Sequence, residues 1–219
     1  MSQNVDKSVL IISHDVVGAK MAGPGIRYYH LASVLGRQFR TVLAVPSEIS
    51  PDIPSKDFHF AQYIRQDWHS VISLVQEAQI VILPSDIASD FPQLAKSDAY
   101  LVIDGYDPLL AEWLALNQSH PPDEQIDFWQ NRMCNLAQQY LMGDFFVCAS
   151  ERQRDWWLGL LESYGRVNPY TFGEDPSLRT LVDVVPYGLR GSMPQKSKPV
   201  IKRVWSGIAA DDKVILWGG

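Results

Sequence analysis

Short apolar runs rich in β-branched residues alternate along this chain with stretches whose apolar positions recur every three or four residues. Runs of four or five such residues suit strands buried on both faces, and the spacing between them suits helices packed over a parallel sheet. The first run covers residues 8–12 and the second residues 41–45. Between them lie a loop over 14–24 and a helix from about Gly25, with Tyr28, Leu31, Val34 and Leu35 on one face and Gly36 near its end. These pieces make one βαβ unit. A proline-rich connection over 46–54 leads to an edge strand over 58–64. A helix through Val71, Leu74 and Val75 then leads to a strand over 80–83, and a short helix over 91–96 to a strand over 100–103.

The alternation continues in the second half. Two helices fit between Pro108 and Met142, the longer one carrying Ile126, Trp129, Met133, Leu136 and Tyr140 at spacings of three and four. A strand over 145–148 is followed by Ser150 and Gln153, the spacing of a capping box, which starts a helix reaching about Tyr164. A short helix over 176–181 and a strand over 182–185 close the sheet at Pro186-Tyr187-Gly188. The fold class expected is α/β, a Rossmann-like, mostly parallel sheet flanked by helices. From Arg190 to Pro199 the chain is basic and rich in serine and proline, the composition of a linker. Residues 1–189 therefore read as one domain. Residues 190–219 read as a linker and the first strand, over 214–217, of a carboxyl-terminal domain that continues past Gly218-Gly219.

Composition narrows the class. The 219 residues are 46% hydrophobic with a net charge of −6, which excludes a disordered chain and, without a lysine or arginine run, argues against a nucleic-acid partner. Two cysteines in apolar stretches, Cys134 and Cys148, make neither a disulfide framework nor a metal cluster, so a reducing, cytoplasmic setting is expected. The apolar run over 9–12 is too short for a signal peptide or a membrane span.

In an open parallel sheet, ligands collect at the carboxyl ends of the strands, so the residues after each run carry the chemistry. After the first strand come His14 and Asp15, then Gly23, Pro24, Gly25 and Arg27 at a helix start. Backbone amides and the helix dipole there attract phosphate, and Arg27 can add a two-pronged contact; the plainer alternative is a turn with a solvated arginine. Asp104 ends its strand facing the expected crevice, where it can bind a hydroxyl or accept its proton; a satisfied strand-end aspartate is the alternative. Tyr106 and Asp107 follow, and Asp107 before Pro108 has the pattern of an N-cap. Beyond the 145–148 strand, Glu151, Arg152 and Arg154 have no task fixed by spacing, and solvated faces are the default. Trp156 and Trp157 suit a core, although a basic, aromatic helix can also lie at a membrane interface. His30, His59, His69 and His120 are scattered, and no triad, P-loop or zinc spacing occurs.

Three segments resemble landmarks of GT-B glycosyltransferases of the family 4, or group 1, type. Gly23-Pro24-Gly25-Ile26-Arg27 resembles that family's glycine loop and first helix. Residues 145–153, FFVCASERQ, are similar to its "vvvaSe.qr" segment, and Val184-Val185-Pro186-Tyr187-Gly188-Leu189 resembles its "viPnGv", with tyrosine in place of asparagine. The resemblance spans nearly the whole chain, as the amino-terminal half of such a fold. It implies transfer of a hexose from a nucleotide sugar, uridine diphosphate glucose by commonness, to a saccharide or lipid-linked acceptor in polysaccharide synthesis. No cofactor or metal is implied, because the nucleotide sugar is a co-substrate.

By residue, the resemblance implies donor-diphosphate contacts at Gly23, Pro24, Gly25 and Arg27, and a catalytic-site position at Asp104, where many members carry histidine. His14, Asp15, Tyr106, Asp107 and Glu151 are the expected acceptor contacts. The partners implied are a nucleotide sugar, a saccharide acceptor, peripheral contact with the inner membrane face, and the carboxyl-terminal domain of the same chain. Without that domain, efficient transfer is not expected. Two other readings compete: a non-catalytic, flavodoxin-like or receiver-like module that binds a nucleotide or a protein, and a sugar-nucleotide epimerase.

Overall fold

A computed structural model describes residues 7–47, 53–84, 87–106, 109–188, 201–202 and 204–215. Seven strands form one sheet in which every pairing is parallel, in the order β3-β2-β1-β4-β5-β6-β7. They are β1 (Ser8–Ile12), β2 (Arg40–Pro46), β3 (His59–Tyr63), β4 (Ile80–Pro84), β5 (Tyr100–Asp104), β6 (Phe145–Cys148) and β7 (Val182–Val184). The helices are α1 (Gly23–Leu35), α2 (Ile72–Glu77), α3 (Ile87–Asp90), α4 (Leu109–Leu116), α5 (Pro122–Met142), α6 (Glu151–Ser163) and α7 (Pro169–Glu174). This is the α/β, Rossmann-like fold that the alternating runs predict.

Successive side chains of a strand point to opposite faces, and β1 shows what that does here. Val9 and Ile11 enter a cluster with Leu43, Val45, Phe58, Tyr28 and Ala32 beneath α1. Leu10 and Ile12 enter the other, with Val81, Leu83, Ile103, Phe146, Trp157 and Leu161. All five β1 residues are buried, so Val9–Ile12 are apolar on both faces and Ser8 donates its hydroxyl to the Glu77 carbonyl. Strand order reverses between β1 and β4, where the first crossover runs one way and the later ones the other, and in sheets of this kind ligands collect at the carboxyl ends beside such a reversal.

Several local expectations are corrected. The last short helix is α7, not residues 176–181. Asn168 caps it by accepting from Tyr170 and Thr171 N–H, while Asp175 ties the following residues into a turn through Ser177, Arg179 and Thr180. Residues 92–96 form a 3-10 helix, with the unforeseen α3 before it. The α5 stripe is buried only at its carboxyl end, at Leu136 and Tyr140, whereas Ile126 and Trp129 stand exposed. Cys148 is buried as expected, but Cys134 is exposed. Residues 204–215 contain turns and no strand, and residues 216–219 and Asp107 lie outside the described residues. The chain divides into two units, Met1–Tyr187 and Gly188–Gly219.

Candidate functional site

The helix that follows β1 begins two residues earlier than its apolar spacing suggests, because Pro24 supplies the helical φ of its first turn without needing a hydrogen-bond partner. Its N-cap is Ala22, which has no side chain able to cap, and no acidic residue lies in the first turn. The amides at Gly23 and Gly25 therefore keep the partial positive charge of a helix start. The two glycines differ. A Cβ on Gly25 would stand 2.1 Å from the Val16 carbonyl oxygen, so this glycine lets the helix rest on the loop after β1. A Cβ on Gly23 would meet no described atom within 4 Å, so its backbone is open to a ligand.

One turn further along, Arg27 is buried with 5% exposure and does not face solvent. Its Nε and Nη2 donate to the two carboxylate oxygens of Asp104 at 2.6 and 2.8 Å, and its Nη1 donates to the Val185 carbonyl at 2.9 Å. Asp104 is 1% exposed. The guanidinium also lies 5.2 Å from the ring centre of Tyr106 and 5.0 Å from that of Tyr187. A single side chain thus ties α1 to the ends of β5 and β7. Burial pushes the Asp104 carboxyl up, against the hydrogen bonds and charge of Arg27 and smaller contributions from Tyr28 and the Tyr106 N–H. Burial works to lower Arg27 as well, but the hydrogen bond and charge of Asp104 outweigh it and hold the guanidinium above its usual value.

This geometry corrects one expectation: Arg27 is not solvated, and its fork is engaged by Asp104. Asp104 in turn accepts from Arg27 on both carboxylate oxygens, so it is the satisfied strand-end aspartate of the plainer alternative. An interaction 77 residues apart in sequence is invisible to spacing.

The other named residues separate into those around α1 and those away from it. His14 stands edge-on to Tyr28, with ring centres 6.1 Å apart, and its carbonyl accepts from Arg65. Asp15 uses Oδ1 to accept from the Val16 N–H at 2.7 Å, which shapes the loop beneath Gly25. Tyr28, Tyr106 and Tyr187 continue the aromatic row, at 6.4 and 5.5 Å between successive centres. Glu151 instead pairs with Arg179 at 3.0 Å on the surface.

The segment after β6 is also more structural than its spacing implies. Ser150 accepts from the Gln153 N–H, but the Gln153 side chain accepts from Ala149 N–H and donates to the Tyr106 carbonyl at 2.8 Å, so the box is not closed on Ser150 itself. Arg154, expected on a solvated face, is buried and donates to the Val182 and Ser177 carbonyls. Trp157 is buried and donates to the Gly105 carbonyl at 3.0 Å, and a Cβ on Gly105 would stand 1.8 Å from its ring. Arg154 and Trp157 thus turn inward, while Arg152 and Trp156 of the same helix stay exposed. Spacing alone did not indicate the inward placement of Arg154 or the contact of Tyr187 with Arg27.

Among the described residues no three His, Cys, Asp or Glu side chains are grouped to hold a metal ion, and no helix is long and apolar enough to cross a membrane. A depression of about 850 Å³ lies at the opposite, amino end of the strands, lined by Lys7, Trp68, Gln79, Lys96 and Tyr100 among others. It lies at the amino ends of β1, β4 and β5, the end of the strands opposite the start of α1.

No protein-family model matches the sequence, and no curated protein is significantly similar to it. Among solved structures the chain is similar to a candidate epimerase from Bacteroides thetaiotaomicron, at 15% identity and a TM-score of 0.38, covering 66% of this chain and 71% of that one. It is also similar to a DNA/pantothenate metabolism flavoprotein from Streptococcus pneumoniae, at 9% identity and a TM-score of 0.32, covering 65% of this chain and 80% of that one. At these scores neither likeness bears on what the chain does.

Proposed function

We propose that this chain is the acceptor-side, amino-terminal domain of a GT-B-type glycosyltransferase that moves a hexose from a nucleotide sugar, with uridine diphosphate glucose the favoured donor, to a saccharide or lipid-linked acceptor. The observation that carries the reading is the uncapped start of α1, open at Gly23, at the carboxyl end of the sheet beside the reversal of strand order. A departing nucleoside diphosphate gathers negative charge, and unopposed backbone amides at a helix N-terminus stabilise that charge without a metal. Gly23 gives close approach, and Gly25 keeps the helix start seated on its loop. Arg27 and Asp104 are positioning residues: they hold the first turn against β5 and β7 and do not touch substrate. Remaining donor contacts belong to a second domain of the same protein, in a cytoplasmic setting.

The test is calorimetric titration of uridine, guanosine and adenosine diphosphate sugars into the 219-residue chain and into the protein as its gene encodes it. The reading expects one nucleotide class to bind and Gly23→Ala to weaken that binding about tenfold. It fails if none of the three binds or is hydrolysed. Binding without turnover in the whole protein would instead favour a nucleotide-binding module.

A further inference from the structure

Two tyrosines, Tyr106 and Tyr187, flank Arg27. Tyr187 remains 46% exposed while its ring is held from within, by the guanidinium at 5.0 Å and by Tyr106 at 5.5 Å in an edge-on arrangement inclined by 75°. Arg27 in turn is fixed by Asp104 and Val185, so the orientation of the exposed ring is set by buried groups. An exposed aromatic side chain that is already ordered loses little conformational entropy when a ligand covers it. The arrangement of the pair also selects among ligands. Two rings at a steep angle make a corner rather than a parallel-walled slot. A corner suits a pyranose, which can lay its C–H face on one ring while the other ring walls its edge. A flat nucleobase fits a slot better.

We infer that Tyr187, with Tyr106, forms an aromatic corner that binds the pyranose ring of a saccharide at the carboxyl end of the sheet. This rests on the transferase reading for its biological sense, since it names the acceptor as a sugar face rather than a lipid or peptide, but the binding itself can be measured separately. Arg27 lies four residues after Gly23, about 6 Å along the helix axis. Arg27 thus links the corner to the same helix start that carries the proposed diphosphate position.

Saturation-transfer NMR on the 219-residue chain tests this, with the methyl glycosides of glucose, galactose and mannose as probes and uridine as the nucleobase arm. The expected result is transfer to the pyranose ring protons of at least one glycoside, reduced about tenfold by Tyr187→Ala and kept within threefold by Tyr187→Phe. An unchanged thermal midpoint in both variants would show that the loss is one of contact. The inference is overturned if no glycoside receives transfer, if Tyr187→Ala leaves transfer unchanged, or if uridine alone depends on Tyr187. Nucleotide-sugar titration of the same samples separates the two ideas. Donor binding without Tyr187-dependent glycoside binding removes the corner and leaves the transferase reading, while the converse removes the transferase reading and leaves a saccharide-binding surface.

Discussion

Replacing Arg27 with alanine should be one of the most damaging single changes in this protein, although the residue lies beside a glycine loop where function would first be sought. The substitution removes three hydrogen bonds and strands a carboxylate that is 1% exposed. Breaking a buried ion pair from one side costs about 3–5 kcal/mol, since the partner keeps its desolvation penalty without its compensation. That is a large share of the roughly 5–15 kcal/mol that holds a typical domain folded. Urea denaturation followed by tryptophan fluorescence would read it, and buried Trp157 makes the signal sensitive to this region. Arg27→Lys, which keeps the charge but not the fork, should lose about half as much. The paired replacement Arg27→Met with Asp104→Leu should recover to within about 2 kcal/mol of the parent, because no charge is then stranded.

Acidification adds an internal check. With Arg27 gone, burial acts on the Asp104 carboxyl with its main opponent removed, so its folded pKa lies above the unfolded value. The folded state then binds the proton more tightly, and stability is greatest at low pH and falls as pH rises past the unfolded carboxyl value of about 4. The Arg27→Ala deficit should therefore shrink on acidification. A loss below about 1 kcal/mol, or single losses that simply add in the double variant, would refute the structural role assigned to the pair.

Three further outcomes follow from other parts of the molecule. Gly105→Ala should destabilise by about 2–3 kcal/mol or more, since the new methyl would meet the Trp157 ring, whereas Gly23→Ala should unfold at nearly the parent urea midpoint. Asp175, lowered to about 2 by hydrogen bonds led by that from the Ser177 side chain, favours the folded state at neutral pH; this contribution should vanish as pH falls from about 4 through 2, and Asp175→Asn should flatten that limb of the stability profile. Tyr140 is pushed up to about 12, chiefly by burial, so absorbance titration should show a phenol that ionises at higher pH than the others and that Tyr140→Phe removes. Its contribution is present below the unfolded value near 10 and is lost as pH rises through about 12.

The strands were legible because burial on both faces demands consecutive apolar residues, a signal that survives without knowledge of neighbours. Helix presence was legible for the same kind of reason, but helix environment was not. The α5 spacing predicts an apolar stripe from Ile126 to Tyr140, yet spacing says nothing about how much of that stripe other elements cover, and only the last turns are buried. The displaced helix at 169–174 had a readable start in Asn168-Pro169-Thr171, which the more obvious Pro176 overshadowed. At the site, Gly23 and Gly25 were legible as a helix start. The fates of Arg27, Asp104 and Arg154 were not, because each depends on a partner brought in by tertiary folding.

The claim at the centre of this account is that a nucleoside diphosphate binds at the carboxyl end of the sheet against the first turn of α1. Backbone amide shifts during titration with uridine diphosphate test it most directly. The account predicts the largest shifts at Gly23, Gly25 and Ile26, with Arg27 and Tyr187 following and the amino end of the sheet unmoved. Shifts confined to the depression around Lys7, Lys96 and Tyr100 would contradict it.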